Sequence, residues 1–188
     1  MIRSDFTAYV LAGGSSHRMK VDKLFIQIDG QSLLERTVAT CEACFRQVKL
    51  VAGASAKFSS LDYAVVLDSP RARGPMAGVI AALEDCDTDS CFLTAADLFD
   101  LSTEVIASVV TQYRGQQYLG LIEPSGVQPL CGVYHKSSLE VLYRCGQDGE
   151  FRMAEALNAL DHGGITLPAG QWRNINSPED LAFGGVNG

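Results

Sequence analysis

The chain has 188 residues, 47% of them hydrophobic and 20% charged, which fits one globular domain with a sizeable core and excludes a disordered chain. Its formal net charge of −7 argues against the broad basic face that nucleic-acid binding needs, but not against a small anion held by a few placed cations and backbone N–H groups. No apolar run approaches the roughly 20 residues of a membrane span, and Met1-Ile2-Arg3-Ser4-Asp5 opens no secretory pattern, so a cytoplasmic protein without a membrane partner is expected.

Phe6 to Leu11 reads as a buried strand, and Gly13-Gly14-Ser15-Ser16 as the loop that follows it. Leu34, Val38, Cys41 and Phe45 then recur at helical spacing, with Ser32 as N-cap. Val48 to Ala52 predicts a second strand, and Ala64 to Leu67 a third that ends at Asp68. Residues 77–84 place Val79, Ile80 and Leu83 on one helical face. Ser90 to Ala95 is a fourth strand, closely followed by Asp97. Ser102 caps a helix whose apolar face is Val105, Ile106, Val109 and Val110, and Tyr118 to Ile122 is a fifth strand. From about residue 123 the pattern is less regular. Helices are predicted near 136–145 and 152–160, and a last one opens at Ser177-Pro178-Glu179-Asp180, with Pro at the first helical position.

The alternation predicts an α/β fold, a mostly parallel sheet with helices on both sides. Ligands in such folds bind beyond the carboxyl ends of the strands. Parallel pairing brings the glycine-rich loop, Asp68 and Asp97 to one strand edge. The six cysteines include one C-x-x-C, Cys41 and Cys44, with no second pair at zinc-site spacing, and His17, His135 and His162 are scattered. Reduced, mostly buried thiols are expected.

Leu11-Ala12-Gly13-Gly14-Ser15-Ser16-His17-Arg18-Met19 carries the strongest chemical signal. Consecutive glycines let backbone N–H groups approach a phosphate, Arg18 adds a bidentate donor, and Lys23 adds a point charge. A plain tight turn between strand and helix would look similar. Asp97 suits a Mg²⁺ ligand at a strand end or a turn former, with Asp100 as a rival. Asp68 reads either as a ligand contact or as a turn former. Gly74-Pro75-Met76-Ala77-Gly78 opens a helix whose free N–H groups suit a ligand acceptor or merely face solvent.

Taken in order, these segments resemble the molybdenum cofactor guanylyltransferases. The resemblance rests on LAGGSSHRMKVDK at 11–23, Leu67-Asp68-Ser69, GPMAG at 74–78, Ala96-Asp97-Leu98-Phe99, and Asn174-Ile175-Asn176-Ser177-Pro178-Glu179-Asp180-Leu181. It spans almost the whole chain. Lys20 replaces the family's glycine, Phe99 its proline after the metal aspartate, and Gly53 an asparagine found in some members.

The resemblance implies a three-layer, Rossmann-like fold of the nucleotide-diphospho-sugar transferase type. It implies a single domain over 1–188, with the N-terminal half binding GTP and the C-terminal half binding molybdopterin. The implied reaction is transfer of GMP from GTP to molybdopterin, with Mg²⁺ as cofactor and Asp97 as its ligand. Arg18, Lys23 and Asp97 would be catalytic. Leu11, Ala12, Gly13, Gly14, Lys23, Asp68, Gly78 and Asp97 would hold the nucleotide, and Asn174 and Asn176 the pterin. GTP and molybdopterin would be the small-molecule partners, with transient contacts to other cofactor-maturation proteins or molybdoenzymes. Three rivals share the scaffold: a CTP-dependent cytidylyltransferase of the same cofactor, a sugar-phosphate or terpenoid-precursor nucleotidylyltransferase, and a catalytically silent nucleotide-binding regulator. Gly13-Gly14 with GPMAG favours guanine over cytosine. Lys20 and Phe99 keep the silent regulator open.

Overall fold

The computed structural model describes residues 4–13, 23–25, 27–28, 30–54, 58, 61–98, 101–124 and 126–167. β1 (Ser4–Leu11) is followed by one turn of 3-10 helix (Lys23–Phe25), a short hairpin of β2 (Gln27–Ile28) and β3 (Gln31–Ser32), and α1 (Leu33–Cys44). β4 (Phe45–Ala52), β5 (Val65–Leu67), α2 (Pro75–Asp85), β6 (Ser90–Ala95) and α3 (Thr103–Gln112) complete the first part. β7 (Tyr118–Glu123), β8 (Gly126–His135), α4 (Ser138–Gln147), α5 (Met153–Asn158) and β9 (His162–Ile165) complete the second.

A seven-stranded sheet runs in the order β5-β4-β1-β6-β8-β7-β9. β1 pairs in parallel with β4 and β6, β4 with β5, and β7 with β9. β8 is antiparallel to both its neighbours. Strand side chains alternate between two faces. Ala8 and Val10 enter a core shared with α1 and α3, while Tyr9 and Leu11 enter one shared with α2, α4 and α5. Every residue of β6 is buried, as its place inside the sheet requires.

The capping signals behave as read. Ser32 caps α1, and its hydroxyl accepts from the Glu35 N–H at 3.2 Å while the Ser32 N–H donates to Glu35 Oε2 at 2.7 Å. Ser102 caps α3 by accepting from the Val105 N–H at 3.3 Å. Cys41 and Cys44 are buried on the inner face of α1, and all six cysteines are free thiols. Phe45 departs from the helical reading. It is the first residue of β4 and reaches the same core from the sheet, stacked on Phe92 at 5.0 Å between ring centroids.

The larger departure lies after residue 123, where the reading expected no strand and the fold places its longest. Gly126, Pro129 and Gly132 weaken the strand pattern of β8. Free ladders on β6 and β7 recruit it nevertheless. Gly132 pairs with Gly120 and Val127 with Ile122, so residues 128–131 bulge opposite Leu121. Pro129 sits inside that bulge, where no ladder donor is demanded of it. Two buried tyrosines satisfy carbonyls of the bulge. The Tyr118 hydroxyl donates to the Gln128 carbonyl, and the Tyr134 hydroxyl donates to the Pro129 carbonyl at 2.8 Å. Their rings lie 4.2 Å apart between centroids. The helix expected from Ser177 lies outside the described residues.

Candidate active site

β1, β4, β5 and β6 run parallel, so their carboxyl ends share one edge of the sheet. The lateral hydrogen bonding continues past the strand ends. The Ala12 N–H donates to the Val51 carbonyl at 2.8 Å, the Asp68 N–H to the Ala52 carbonyl at 3.1 Å, and the Ala96 N–H to the Leu11 carbonyl at 3.0 Å. The start of the glycine-rich loop and Asp97 thus leave the neighbouring strands β1 and β6, and Asp68 leaves β5 on the same edge, with β4 between β5 and β1.

Asp68 stands among three glycines. A Cβ added at Gly13 or at Gly53 would lie 3.4 Å from its Oδ2, and one at Gly78 would lie 3.4 Å from its Oδ1. At Gly78 the same Cβ would meet Leu11 Cδ2 at 2.5 Å, so a larger residue there would require the Leu11 side chain to shift. The Ser69 N–H donates to the Ala77 carbonyl at 3.1 Å and ties the turn after β5 to α2. Burial pushes the Asp68 carboxyl above the usual carboxylate range. No hydrogen bond or ion pair from a described residue engages its carboxylate, which leaves a half-buried acceptor aimed at the cleft between the glycines. Gly53 belongs to this cradle. A glycine directly after a strand on the same edge is the sequence signal for it, although some relatives carry asparagine there.

Gly74 precedes Pro75, the first residue of α2, and adopts φ 61° and ψ −153°, a conformation that excludes side chains almost entirely. No side-chain cap closes this helix N-terminus, in contrast to α1 and α3. Pro75 has no N–H and the Ala77 N–H donates to the Gly74 carbonyl at 3.1 Å, which leaves the Met76 N–H of this first turn for an acceptor at the edge that carries Asp68.

Asp97 lies one residue beyond the Ala96–Leu11 hydrogen bond, exposed in the turn after β6. No ion pair among the described residues engages it. Lys23 begins the 3-10 turn that packs against α1, anchored by the buried Leu24, but its side chain lies outside what is described. Gly14, Arg18, Asn174 and Asn176 also lie outside the described residues. Of the expected site, the fold therefore brings together Leu11, Ala12, Gly13, Asp68, Gly78 and Asp97. Among the described residues, no group of three or more His, Cys, Asp or Glu could hold a metal by itself, and no helix is long and apolar enough to cross a membrane.

Residues 8–162 match the family described as MobA-like NTP transferase domain. The chain belongs to that family. The matched span includes the whole glycine-rich segment at 11–23, Asp68, GPMAG and Asp97, and it stops short of Asn174. A protein of Aquifex aeolicus named probable molybdenum cofactor guanylyltransferase is 30% identical over 179 residues, covering 93% of this chain and 88% of that protein. A crystal structure of a protein from Aquifex aeolicus VF5 superposes with a TM-score of 0.78 at 28% identity, covering 92% of this chain and 94% of that one. The crystal structure of molybdopterin-guanine dinucleotide biosynthesis protein A from Archaeoglobus fulgidus gives a TM-score of 0.77 at 22% identity over 95% of this chain and 96% of that one. The fold is the three-layer, Rossmann-like arrangement of the nucleotidyltransferases. For a MobA-like transferase, an edge of glycines and a helix start without a side-chain cap, flanked by two carboxylates, is an arrangement that can position a nucleoside triphosphate.

Proposed function

We propose that the protein transfers GMP from GTP to the terminal phosphate of molybdopterin and releases pyrophosphate. One observation carries this reading: Gly13, Asp68, the uncapped start of α2 and Asp97 converge on one sheet edge in a family whose similar members are named molybdenum cofactor guanylyltransferases.

A phosphate oxygen of molybdopterin attacks the α-phosphorus of GTP. A new phosphorus–oxygen bond forms, the bond to the β-phosphate oxygen breaks, and pyrophosphate leaves with that electron pair. The nucleophile is already an anionic oxygen, so the protein needs no covalent intermediate. Its contribution is positioning and charge neutralisation. Leu11, Ala12, Gly13 and Gly14 hold the nucleotide through backbone groups. Arg18 and Lys23 stabilise charge on the transferring phosphate and the departing pyrophosphate. Asp68 accepts from a donor on the ribose or base, for which a desolvated carboxylate without a partner among the described residues is suited. Gly78 keeps α2 against that site. Asn174 and Asn176 contribute to binding the pterin.

The residues present fit Mg²⁺. Asp97 is exposed, and one carboxylate beside substrate phosphate oxygens is a donor set this ion commonly takes. Bound there, the ion supplies further neutralisation of the triphosphate. A GTP-fed reaction of this kind belongs to the cytoplasm.

The test is nucleotide choice. In Mg²⁺, GTP is expected to raise the melting temperature more than CTP, ATP or UTP, because a ligand held only by the folded state stabilises it. Purified protein given molybdopterin should release pyrophosphate with GTP. A larger response to CTP in both measurements would reassign the protein to cytidylyl transfer. Binding without pyrophosphate release would make it a silent regulator.

A further inference from the structure

We propose that Thr37 is a positioning residue for Asp97, through a hydrogen bond to the peptide that precedes it. The proposal rests on the reading of Asp97 as a metal ligand.

Thr37 lies on the inner face of α1 and is buried. A helical threonine usually returns its hydroxyl to the carbonyl four residues back in its own helix. Thr40 does so, donating to the Arg36 carbonyl at 2.9 Å, and Thr111 donates to the Ala107 carbonyl at 2.7 Å. Thr37 instead donates across the core to the Ala96 carbonyl at 3.1 Å, 59 residues away in sequence. On the other side of the same residue, the Ala96 N–H donates to the Leu11 carbonyl at 3.0 Å. Ala96 is therefore clamped between α1 and the end of β1, and the next residue is Asp97.

Packing does not do this work. A cavity of about 70 Å³ lies beside the bond, lined by Leu33, Arg36, Thr37, Thr40, Leu98 and Leu101. The underside of the turn that carries Asp97 is thus incompletely filled by α1. With no ion pair from a described residue on Asp97 itself, the hydrogen bonds on Ala96 set where its carboxylate stands. The loss of such a supporting contact weakens metal binding without removing the ligand.

The experiment compares wild type, Thr37→Val, Thr37→Ser and Asp97→Asn. Mn²⁺ binding is read by electron paramagnetic resonance in the presence of a non-hydrolysable GTP analogue, alongside the Mg²⁺ dependence of pyrophosphate release. Thr37→Val preserves shape and removes the donor. It is expected to weaken Mn²⁺ binding and raise the Mg²⁺ concentration at half activation by about tenfold, with turnover largely recovered at saturating Mg²⁺. Thr37→Ser, which keeps the donor, should stay close to wild type. Asp97→Asn should lose Mn²⁺ binding outright. If Thr37→Val only lowers the melting temperature and binds Mn²⁺ as wild type does while Asp97→Asn does not, Thr37 is structural and the proposal falls alone. If Asp97→Asn also binds Mn²⁺ normally, the metal reading falls and takes the proposal with it. Should Thr37→Val fail to fold, Thr37→Ala, which also removes the hydroxyl donor, carries the same readout.

Discussion

Asp68 is a residue whose burial opposes stability in its ionised form and to which the proposed function gives a binding role. Burial holds its carboxyl above the usual range, so the folded protein binds that proton more tightly than the unfolded chain does. The group therefore adds stability as the pH falls through its raised folded value, and its ionised form is unfavourable at neutral pH. Asp68→Asn removes the desolvated charge and keeps the shape. It is expected to leave the melting temperature unchanged or slightly higher at pH 7, while most of the GTP-induced increase disappears. A lower melting temperature with an intact GTP response would mean that the carboxylate serves the fold and not the ligand. Three glycines surround it, and a Cβ at Gly13, Gly53 or Gly78 would add an ordinary van der Waals contact with the same carboxylate.

At the scale of elements, α1 carries reciprocal caps and α2 carries none. The Ser32 backbone N–H and hydroxyl both donate to Glu35 Oε2 at 2.7 Å, and these bonds hold the Glu35 carboxyl below its usual range. A lowered folded value gives stability that is present above the ordinary carboxylate range and is lost as the pH falls through the folded value. Ser32→Ala should cost about 1 kcal/mol, or roughly 2–4 °C in melting temperature for a chain of this size. The gap between wild type and Glu35→Gln should narrow as the pH is lowered from 7 toward 3. A gap independent of pH would exclude the ionised capping box as its source. Because α1 also supports the turn before Asp97 through Thr37, its cap lies at the far end of a chain of contacts that reaches the site.

Over the whole molecule, β8 joins the two parts of the sheet. It pairs with β6 on one side and β7 on the other, and β7 carries β9. The joint depends on space left by glycine. A Cβ at Gly132 would run into the Leu119 carbonyl oxygen and meet the Tyr118 hydroxyl at 2.6 Å, and one at Gly120 would run into the Tyr118 ring. A flexible side chain could give way, but a paired backbone carbonyl cannot do so without breaking the ladder. Gly132→Ala is therefore expected to lower the urea midpoint substantially, by a destabilisation beyond the roughly 1–3 kcal/mol of ordinary overpacking. Far-ultraviolet circular dichroism and tyrosine fluorescence should still report one coincident transition, because β8 couples both cores. Two separated transitions would show that the parts fold independently and that β8 does not join them.

The sequence by itself determined the features that depend on near neighbours. The strand ends at Leu11, Leu67 and Ala95, the caps at Ser32 and Ser102, and the helical face of Val79, Ile80 and Leu83 follow from spacing and side-chain chemistry within a few residues. Parallel pairing then followed from their alternation, and with it the shared edge of Gly13, Asp68 and Asp97. Tertiary structure decided the rest. β8 is a strand because two distant ladders accept it, despite Pro129 and its glycines. Phe45 leaves the helical face because β1 offers it a partner at Ser4. Tyr118 and Tyr134 are buried because the bulge presents carbonyls for their hydroxyls. Thr37 turns away from its own helix because the Ala96 carbonyl stands across the core. In each of these cases the deciding partner is remote in the chain, and local periodicity carries no information about a contact whose other half is tens of residues away.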